Sequence, residues 1–473
     1  MKSKMKIKMR VVRNLWYLPM VLFIASCAKG FDNNETFSSG VSNTQLLSPA
    51  EDGITFSKSA DEKTFTVKWP VVLGASAYQV LLQIVDDPEN PENVLDKTVD
   101  GCSLEVEMKE DTKYQVAVKS LGNIEYNNAD AKESSLAQWS SLIPTIATIP
   151  SGSDIAEWFA ANPIQDTGAE MAYDLEANGT YTLNSPLDFA GYWITFRGDK
   201  IHHPKVTMGT NGLIKTRYGL KIKYIDFDCT GVDQAAQYGS FLTMSETPDE
   251  STLVDGKWYP MLMPIVIQSC NIKGIARSLV YNGGKNYIIS GLYIKDCIVE
   301  LNTAQDSKKP VISFTDGGRG CINDLEISNS TFYDLSKGGN FFIQYANNAA
   351  GSTNLSSLFS SSSVKLLNNT FYNVAYSKNF ANYSGMKNSK VTITVMNNIF
   401  QHCGTVQKLF NSGNKQFSNN AYYEEVDGDV NKQSTDGSEF QEDPGFTNPT
   451  SGNFAVSGST IIAKKVGDPR WLQ

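Results

Sequence analysis

Asp226 and Asp228 stand two residues apart in Ile222-Lys-Tyr-Ile-Asp-Phe-Asp228. On a strand both carboxylates leave the same face. Such a pair can share Ca²⁺, which favours several oxygen ligands, or can form a solvated charged strand with ion-paired neighbours. Tyr333, Tyr372 and Tyr423 fall at one position of a recurring phrase, with Thr331 and Thr370 beside them. A row of tyrosines can stack on sugar rings and offer hydroxyls to sugar oxygens, or stack on one another between coils. Trp258 and Tyr259, between Gly256 and Pro260, are candidates for exposed aromatic contacts. Lys273, Arg277 and Arg319 are cations at strand or corner positions. One of them could take the C5 proton of a uronate, provided Ca²⁺ or a cationic cluster held the developing negative charge. No Asp pair on neighbouring coils with a nearby His, as a hydrolase would need, is evident, His402 reads as a structural corner residue, and no serine elbow is visible.

The elements that must position these residues are announced by a six-residue phrase. It reads Ile327-Ser-Asn-Ser-Thr-Phe332, Leu366-Leu-Asn-Asn-Thr-Phe371 and Val395-Met-Asn-Asn-Ile-Phe400, with looser copies starting at Ile222, Ile267, Ile294 and Phe417. The starts lie 45, 27, 33, 39, 29 and 22 residues apart. A ragged period of this length marks a solenoid. The phrases lack the long 3.6-residue periodicity of a helical repeat and read as strand, polar bend, strand. Asn tolerates the left-handed backbone of such a bend, and stacked asparagines can pair from coil to coil. The expectation is a right-handed parallel β-helix with positions one and six inward. Lys221, Lys223, Asp226 and Asp228 are then expected at the surface. Two long insertions, one holding Asp255 to Pro260 and one holding Asn340 to Tyr345 with a Ser-rich run, are expected to wall a groove.

Residues 1–26 read as an address. Six basic residues precede an apolar run from Leu15 to Ala25 that is too short to span a bilayer. Ile24-Ala-Ser-Cys27 resembles the bacterial lipobox, which implies lipidation at Cys27 and a stable membrane anchor. Residues 27–43, polar and without period, read as a tether. Beyond the address, 35 Lys+Arg face 50 Asp+Glu. No basic block is present, so nucleic acid is not an expected partner. The remaining six cysteines allow disulfides in an exported protein. Cys270 and Cys297 share the fourth repeat position, so a buried thiol ladder is the competing expectation.

Residues 44–148 alternate over Thr64 to Trp69, Tyr78 to Ile84, Leu104 to Met108 and Tyr114 to Val118, a small β-sandwich pattern. Trp69, Ala77-Tyr78-x-Val80 and Asp111-Thr112-x-Tyr114-x-Val116-x-Val118 resemble a fibronectin type III module. Residues 149–473 hold the solenoid. Asp154 with Glu157 opens an amphipathic helix expected to cap the first coil, where an apolar face and sheet edge would otherwise lie open. The fold class is therefore all-β, a sandwich followed by a capped β-helix. The Asn-Asn/Ser-x-Phe repeats, Phe314-Thr-Asp-Gly-Gly-Arg319 and the closing Gly467-Asp-Pro-Arg-Trp471 resemble a family of lipoproteins. These belong to Gram-negative glycan-utilisation systems and join a fibronectin-like module to a pectate-lyase-like β-helix. The resemblance implies an outer-membrane, lipid-anchored protein, on the surface or the periplasmic face. Polysaccharide is the expected partner, and outer-membrane glycan-import components are possible further ones. It leaves glycan binding and a polysaccharide lyase that uses Ca²⁺ as alternatives.

Overall fold

The computed structural model describes residues 41–237, 241–303, 309–346, 357–376, 379–382, 390–406, 414–424 and 436–473. Cys27 and the address segment lie outside the described residues. The chain divides between Ser141 and Leu142 into two compact units. The division falls before the expected 148/149, because Thr145–Ile149 pairs in parallel with Met171–Leu175 of the solenoid.

In the first unit, Thr55–Lys58, Thr64–Lys68 and Ser103–Glu107 form one antiparallel sheet. Glu92–Val99, Ala77–Ile84, Lys113–Leu121 and Ser135–Ser140 form the other. Period-two alternation buries Phe65, Val67, Val80, Leu82, Val116 and Val118. Trp69 is buried edge-on to Tyr78. The Tyr114 hydroxyl accepts the Lys109 N–H at 2.8 Å, the tyrosine corner of such sandwiches.

The second unit is a parallel β-helix of three sheets. The first sheet has eleven strands, the second nine and the third seven among the described residues. The repeated phrase carries the chain from the first sheet to the second. Its third residue takes the left-handed conformation at Asp296, Asn329, Asn368, Asn397 and Asn419, and its first and sixth residues are fully buried at Ile327, Phe332, Leu366, Phe371, Val395 and Phe400. Phe332, Phe371, Phe400 and Tyr422 stack at 5.1–5.7 Å along the coil axis. Two amide ladders climb the corner. The outer one runs from Asn419 through Asn397, Asn368 and Asn329 to Asp296, each Nδ2 donating at 2.8–3.2 Å. The inner one is buried, with Asn369 Nδ2 donating to Asn398, Asn398 to Asn420 and Asn420 to Asp436 at 2.7–3.0 Å. Cys270 and Cys297 continue this inner column as free thiols. Their bonds go to carbonyls of the coil, such as Cys297 Sγ to the Lys295 oxygen at 3.1 Å. Burial pushes the Cys270 thiol far up.

A helix covers the first coil, and the closing segment covers the outer face of the second sheet. Asp154 caps the helix Ile155–Ala161 by accepting the Glu157 N–H at 3.1 Å and also accepts from Thr182 and Asn184 of the first coil. Ile155 and Phe159 are buried, Phe159 edge-on to Tyr173 and Phe189. At the other end, residues 440–472 lie along the second sheet. Ile399 and Ala421 pack there with Val456, Ile461 and Val466, and the Trp471 indole N–H donates to Thr331 at 2.8 Å.

Candidate functional site

The sequence-derived residues settle in several places. On the second sheet, Asp226 takes His203 at 3.0 Å and Asn271 at 2.8 Å. Asp228 takes Lys273 at 2.9 Å. Burial pushes both carboxyls up, but hydrogen bonds from His203 and Asn271 to Asp226, and from Thr230 and Lys273 to Asp228, outweigh it and hold them below the usual range. The pair is thus the ion-paired strand rather than two carboxylates turned to one shared point. No group of three metal-ligating side chains is found among the described residues. Lys223, expected at the surface, is buried.

The tyrosine column exists in register, Tyr333 against Tyr372, but it is not an exposed ladder. Tyr333 is 7% exposed, bonded to Glu300 at 3.0 Å, with the Phe454 ring 5.2 Å away. Tyr372 meets Phe446 and Phe454. Tyr423, half-buried, has its hydroxyl raised by Asp443. The closing segment covers this column. Trp258 is likewise buried, its indole N–H held by the Arg319 carbonyl at 3.1 Å. The insertion carrying it adds the strand Tyr259–Met261 beside Tyr287–Lys295. Tyr259 is half-buried and donates to Glu250 at 2.8 Å. The two insertions do meet, Ser357 bonding Asp255 at 3.2 Å. However, Ile343–Tyr345 is a strand of the third sheet, not a loop.

The three cations are dispersed. Lys273 sits on the second sheet, its ammonium pKa raised first by its hydrogen bond to Asp228 and then by that charge. That is the wrong direction for a base. Arg277 is 3% exposed, precedes the third-sheet strand Val280–Tyr281, and donates to the Ala235 carbonyl at 3.1 Å. Arg319 is half-buried in the turn after Ile312–Phe314.

A different face gathers polar side chains. On the third sheet Asp188, Lys215, Thr243, Tyr281, Ser313, Gln344 and Asn382 are successive partners in register. Their chain neighbours Leu187, Ile214, Leu242, Val280, Ile312, Ile343 and Ala381 point inward and are buried. With adjacent strands about 4.8 Å apart, the polar column runs for about 29 Å. Asp188 is exposed and Gln344 and Asn382 are half-buried, while Thr243, Tyr281 and Ser313 at its centre are roofed. Over the centre, Tyr281 Oη donates to Asp316, and Lys309 Nζ binds the same carboxylate and lies over the Tyr281 ring. Burial raises the Asp316 carboxyl, yet the bonds from Lys309 and Tyr281 bring it below the usual range. Lys215 pairs with Glu246 at 3.0 Å, Arg217 bonds the Thr247 carbonyl, and Ser245 donates to Asp188 at 3.2 Å. Thr243 Oγ1 and Asn282 Oδ1 are buried in this region without a partner among the described residues. Such buried, unpaired polar atoms cost about 1–3 kcal/mol each. The column therefore offers hydroxyls, amides and paired charges with little net charge of its own.

The six-residue phrase does not reach this face, whose strands have only two to four residues. The signal for it was Tyr281-Asn-Gly-Gly284 and its echo Thr315-Asp-Gly-Gly318. In both, the Gly-Gly pair leaves the third sheet with positive φ. A Cβ at Gly283 would stand 2.1 Å from the Met244 carbonyl oxygen.

The chain matches three families, each described as a domain of unknown function, at residues 1–179 (DUF4992), 179–335 (DUF4957) and 364–471 (DUF5123). No curated protein matches it. Among solved structures, the fn3 domain of the human collagen alpha-1(XX) chain is 20% identical with a TM-score of 0.18, covering 23% of this chain and 94% of that one. Pectate lyase PelI from Erwinia chrysanthemi, in complex with tetragalacturonic acid, is 9% identical with a TM-score of 0.15, covering 74% of this chain and 84% of that one. The architecture described above rests on strand register and burial, not on these likenesses.

Proposed function

We propose that the protein is a cell-envelope lipoprotein, anchored through Cys27 to the outer membrane, that binds a polysaccharide along the third sheet of its β-helix. The observation that carries this reading is the column from Asp188 to Asn382, polar on every rung, with the Tyr281, Asp316 and Lys309 cluster over its centre. The rung spacing of a parallel sheet is close to the length of one pyranose unit, so a linear glycan lying along the face can meet Asp188 and Lys215 at one end and Gln344 and Asn382 at the other. The pairing of Lys215 with Glu246 and Lys309 with Asp316 favours a neutral or mixed glycan over a polyuronate, which the acidic chain repels. The lyase alternative has no support from the dispersed Lys273, Arg277 and Arg319. Delivery of bound glycan to outer-membrane import components fits the same reading.

The test is native affinity electrophoresis against plant and host polysaccharides, with ultraviolet absorbance followed for unsaturated uronate product. Retarded migration on at least one glycan, weakened in Gln344→Ala and Lys215→Ala with no absorbance growth, is the expected result. Absorbance growth on any uronate glycan would replace binding with lyase chemistry. Unretarded migration on every glycan would leave the reading without its ligand and refute it.

A further inference from the structure

The first unit ends in an apolar tip whose position relative to the chain entry gives it a partner. The loop 70–76 presents Val71 and Leu73, 58% and 53% exposed, and the loop 122–128 presents Ile124 and Tyr126, 95% and 42% exposed. These two loops are one surface. Asn128 Nδ2 donates to the Gly74 carbonyl at 3.1 Å and to the Val41 carbonyl at 2.5 Å, while its Oδ1 accepts the Thr44 N–H at 3.2 Å. The Asn43 N–H donates to the Tyr126 carbonyl at 2.8 Å, and Asn127 Nδ2 to Asn43 Oδ1 at 2.8 Å. Asn127 closes the Ile124–Tyr126 turn in the left-handed conformation, and Gly74, at φ +83°, would press any Cβ against the Asn128 amide. The tip is therefore held in shape before anything binds it. Exposed apolar clusters of this kind mark interaction surfaces. An aliphatic set with a tyrosine at its edge suits a membrane interface, where the ring is buried and the hydroxyl stays wet.

The chain enters the sandwich at the same tip. Val41 and Asn43 are bonded into it, and only thirteen residues separate Val41 from Cys27. Even fully extended they reach no further than about 50 Å. We infer that the tip formed by Val71, Leu73, Ile124 and Tyr126 seats on the lipid surface as a second contact beside the acyl anchor. This rests on the lipoprotein reading at Cys27. An acyl chain that ends this close keeps the tip at a high effective concentration over the bilayer, so shallow insertion of four side chains suffices. Glu125 between the two exposed residues of its turn favours a zwitterionic over an anionic leaflet.

The full-length acylated protein, purified from membranes, is the sample. Mass spectrometry first establishes the acyl group on Cys27. In a Cys102→Ser background, an environment-sensitive fluorophore is placed at Ile124→Cys, and separately at Lys97→Cys on the exposed strand Glu92–Val99. Both proteins are reconstituted into phosphatidylcholine–phosphatidylethanolamine vesicles containing nitroxide-labelled lipid. The expected result is strong quenching at position 124, little at position 97, and at least a tenfold loss of the quenching difference between wild type and Leu73→Asp. Equal quenching at the two positions with Cys27 acylated would overturn the tip contact and leave the anchor reading standing. An unacylated Cys27 would sink the anchor reading and this inference with it. A dimer in sedimentation that Leu73→Asp dissolves, without quenching at position 124, would make the tip a self-interface and refute the lipid contact.

Discussion

Truncating Asn398 tests whether the inner amide ladder holds the solenoid corner. Its Oδ1 accepts the Asn369 N–H at 2.9 Å and Asn369 Nδ2 at 3.0 Å. Its Nδ2 donates to the carbonyls of Leu366 at 2.8 Å and Met396 at 3.0 Å, and to Asn420 at 3.0 Å. In Asn398→Ala the buried Asn369 N–H loses its partner outright, at about 1–3 kcal/mol, and the other bonds lost add several tenths each. Asn369 Nδ2 keeps the Ile327 carbonyl and Asn420 Oδ1 keeps the Asn398 N–H, which limits the total to about 4 kcal/mol. At the usual unfolding entropy per residue, a cooperative unit of this size loses about 6 °C of melting temperature. The outer ladder is the internal control. Asn397→Ala forfeits two half-exposed bonds and strains an alanine at φ +57°, for about 1–2 kcal/mol. Calorimetry on both variants decides. Equal losses, or a loss below about 1 kcal/mol in Asn398→Ala, would show that side-chain stacking and the sheets carry the corner without the buried ladder.

Four further outcomes follow from the same contacts. Burial raises the Asp468 carboxyl from 3.8 to about 6. The folded state therefore binds this proton more tightly than the unfolded one, and the associated stability, up to about 3 kcal/mol, is fully present below pH 4 and lost as pH rises through 6. Melting of the wild type should fall across that window, and Asp468→Asn should flatten the profile. Tyr281→Phe frees one Asp316 bond at the roofed centre and should weaken glycan retardation several-fold while shifting the melting point by no more than about 3 °C. In the folded protein Cys102, half-buried, should react with a thiol reagent ahead of Cys229, Cys270, Cys297, Cys321 and Cys403, which are buried and should react only on unfolding. Added Ca²⁺ should leave the melting point unchanged, since Asp226 and Asp228 already hold His203 and Lys273.

The corner between the first and second sheets was legible because its requirements are local. A left-handed third residue selects Asn, a stacked fourth residue selects a small polar group or a thiol, and inward ends select Ile, Val, Leu or Phe. Those constraints repeat coil after coil and so surface as a phrase. The sandwich was legible for a similar reason, since Trp69 and Tyr114 answer to contacts within their own unit. Tyr333, Tyr372 and Trp258 were misplaced because their covering comes from far along the chain. Phe454 is more than a hundred residues from Tyr333, and the Arg319 carbonyl that fixes Trp258 is sixty-one residues away. A period-two reading reports that a side chain leaves the sheet, not what is waiting there.

The third sheet reverses that logic, and the reversal is the argument for its function. Corner columns are uniform because stacking rewards identical neighbours, amide on amide and ring on ring. The column from Asp188 to Asn382 is polar throughout but changes residue type at every rung, so it gains nothing from stacking like on like. Thr243 and Ser313 are buried there, and Thr243 Oγ1 lacks a partner among the described residues at a cost of about 1–3 kcal/mol. A valine would fill the Thr243 position without that cost. Retaining varied hydroxyls, amides and ion pairs on a face where an apolar or uniform ladder would be more stable fits a surface shaped by what it binds. Thr243→Val should therefore stabilise the β-helix by about 1 kcal/mol, while Gln344→Ala, at a half-buried rung of the same column, should weaken glycan binding. Measured together, retention unchanged in Gln344→Ala would mean that the polar column of this face is idle.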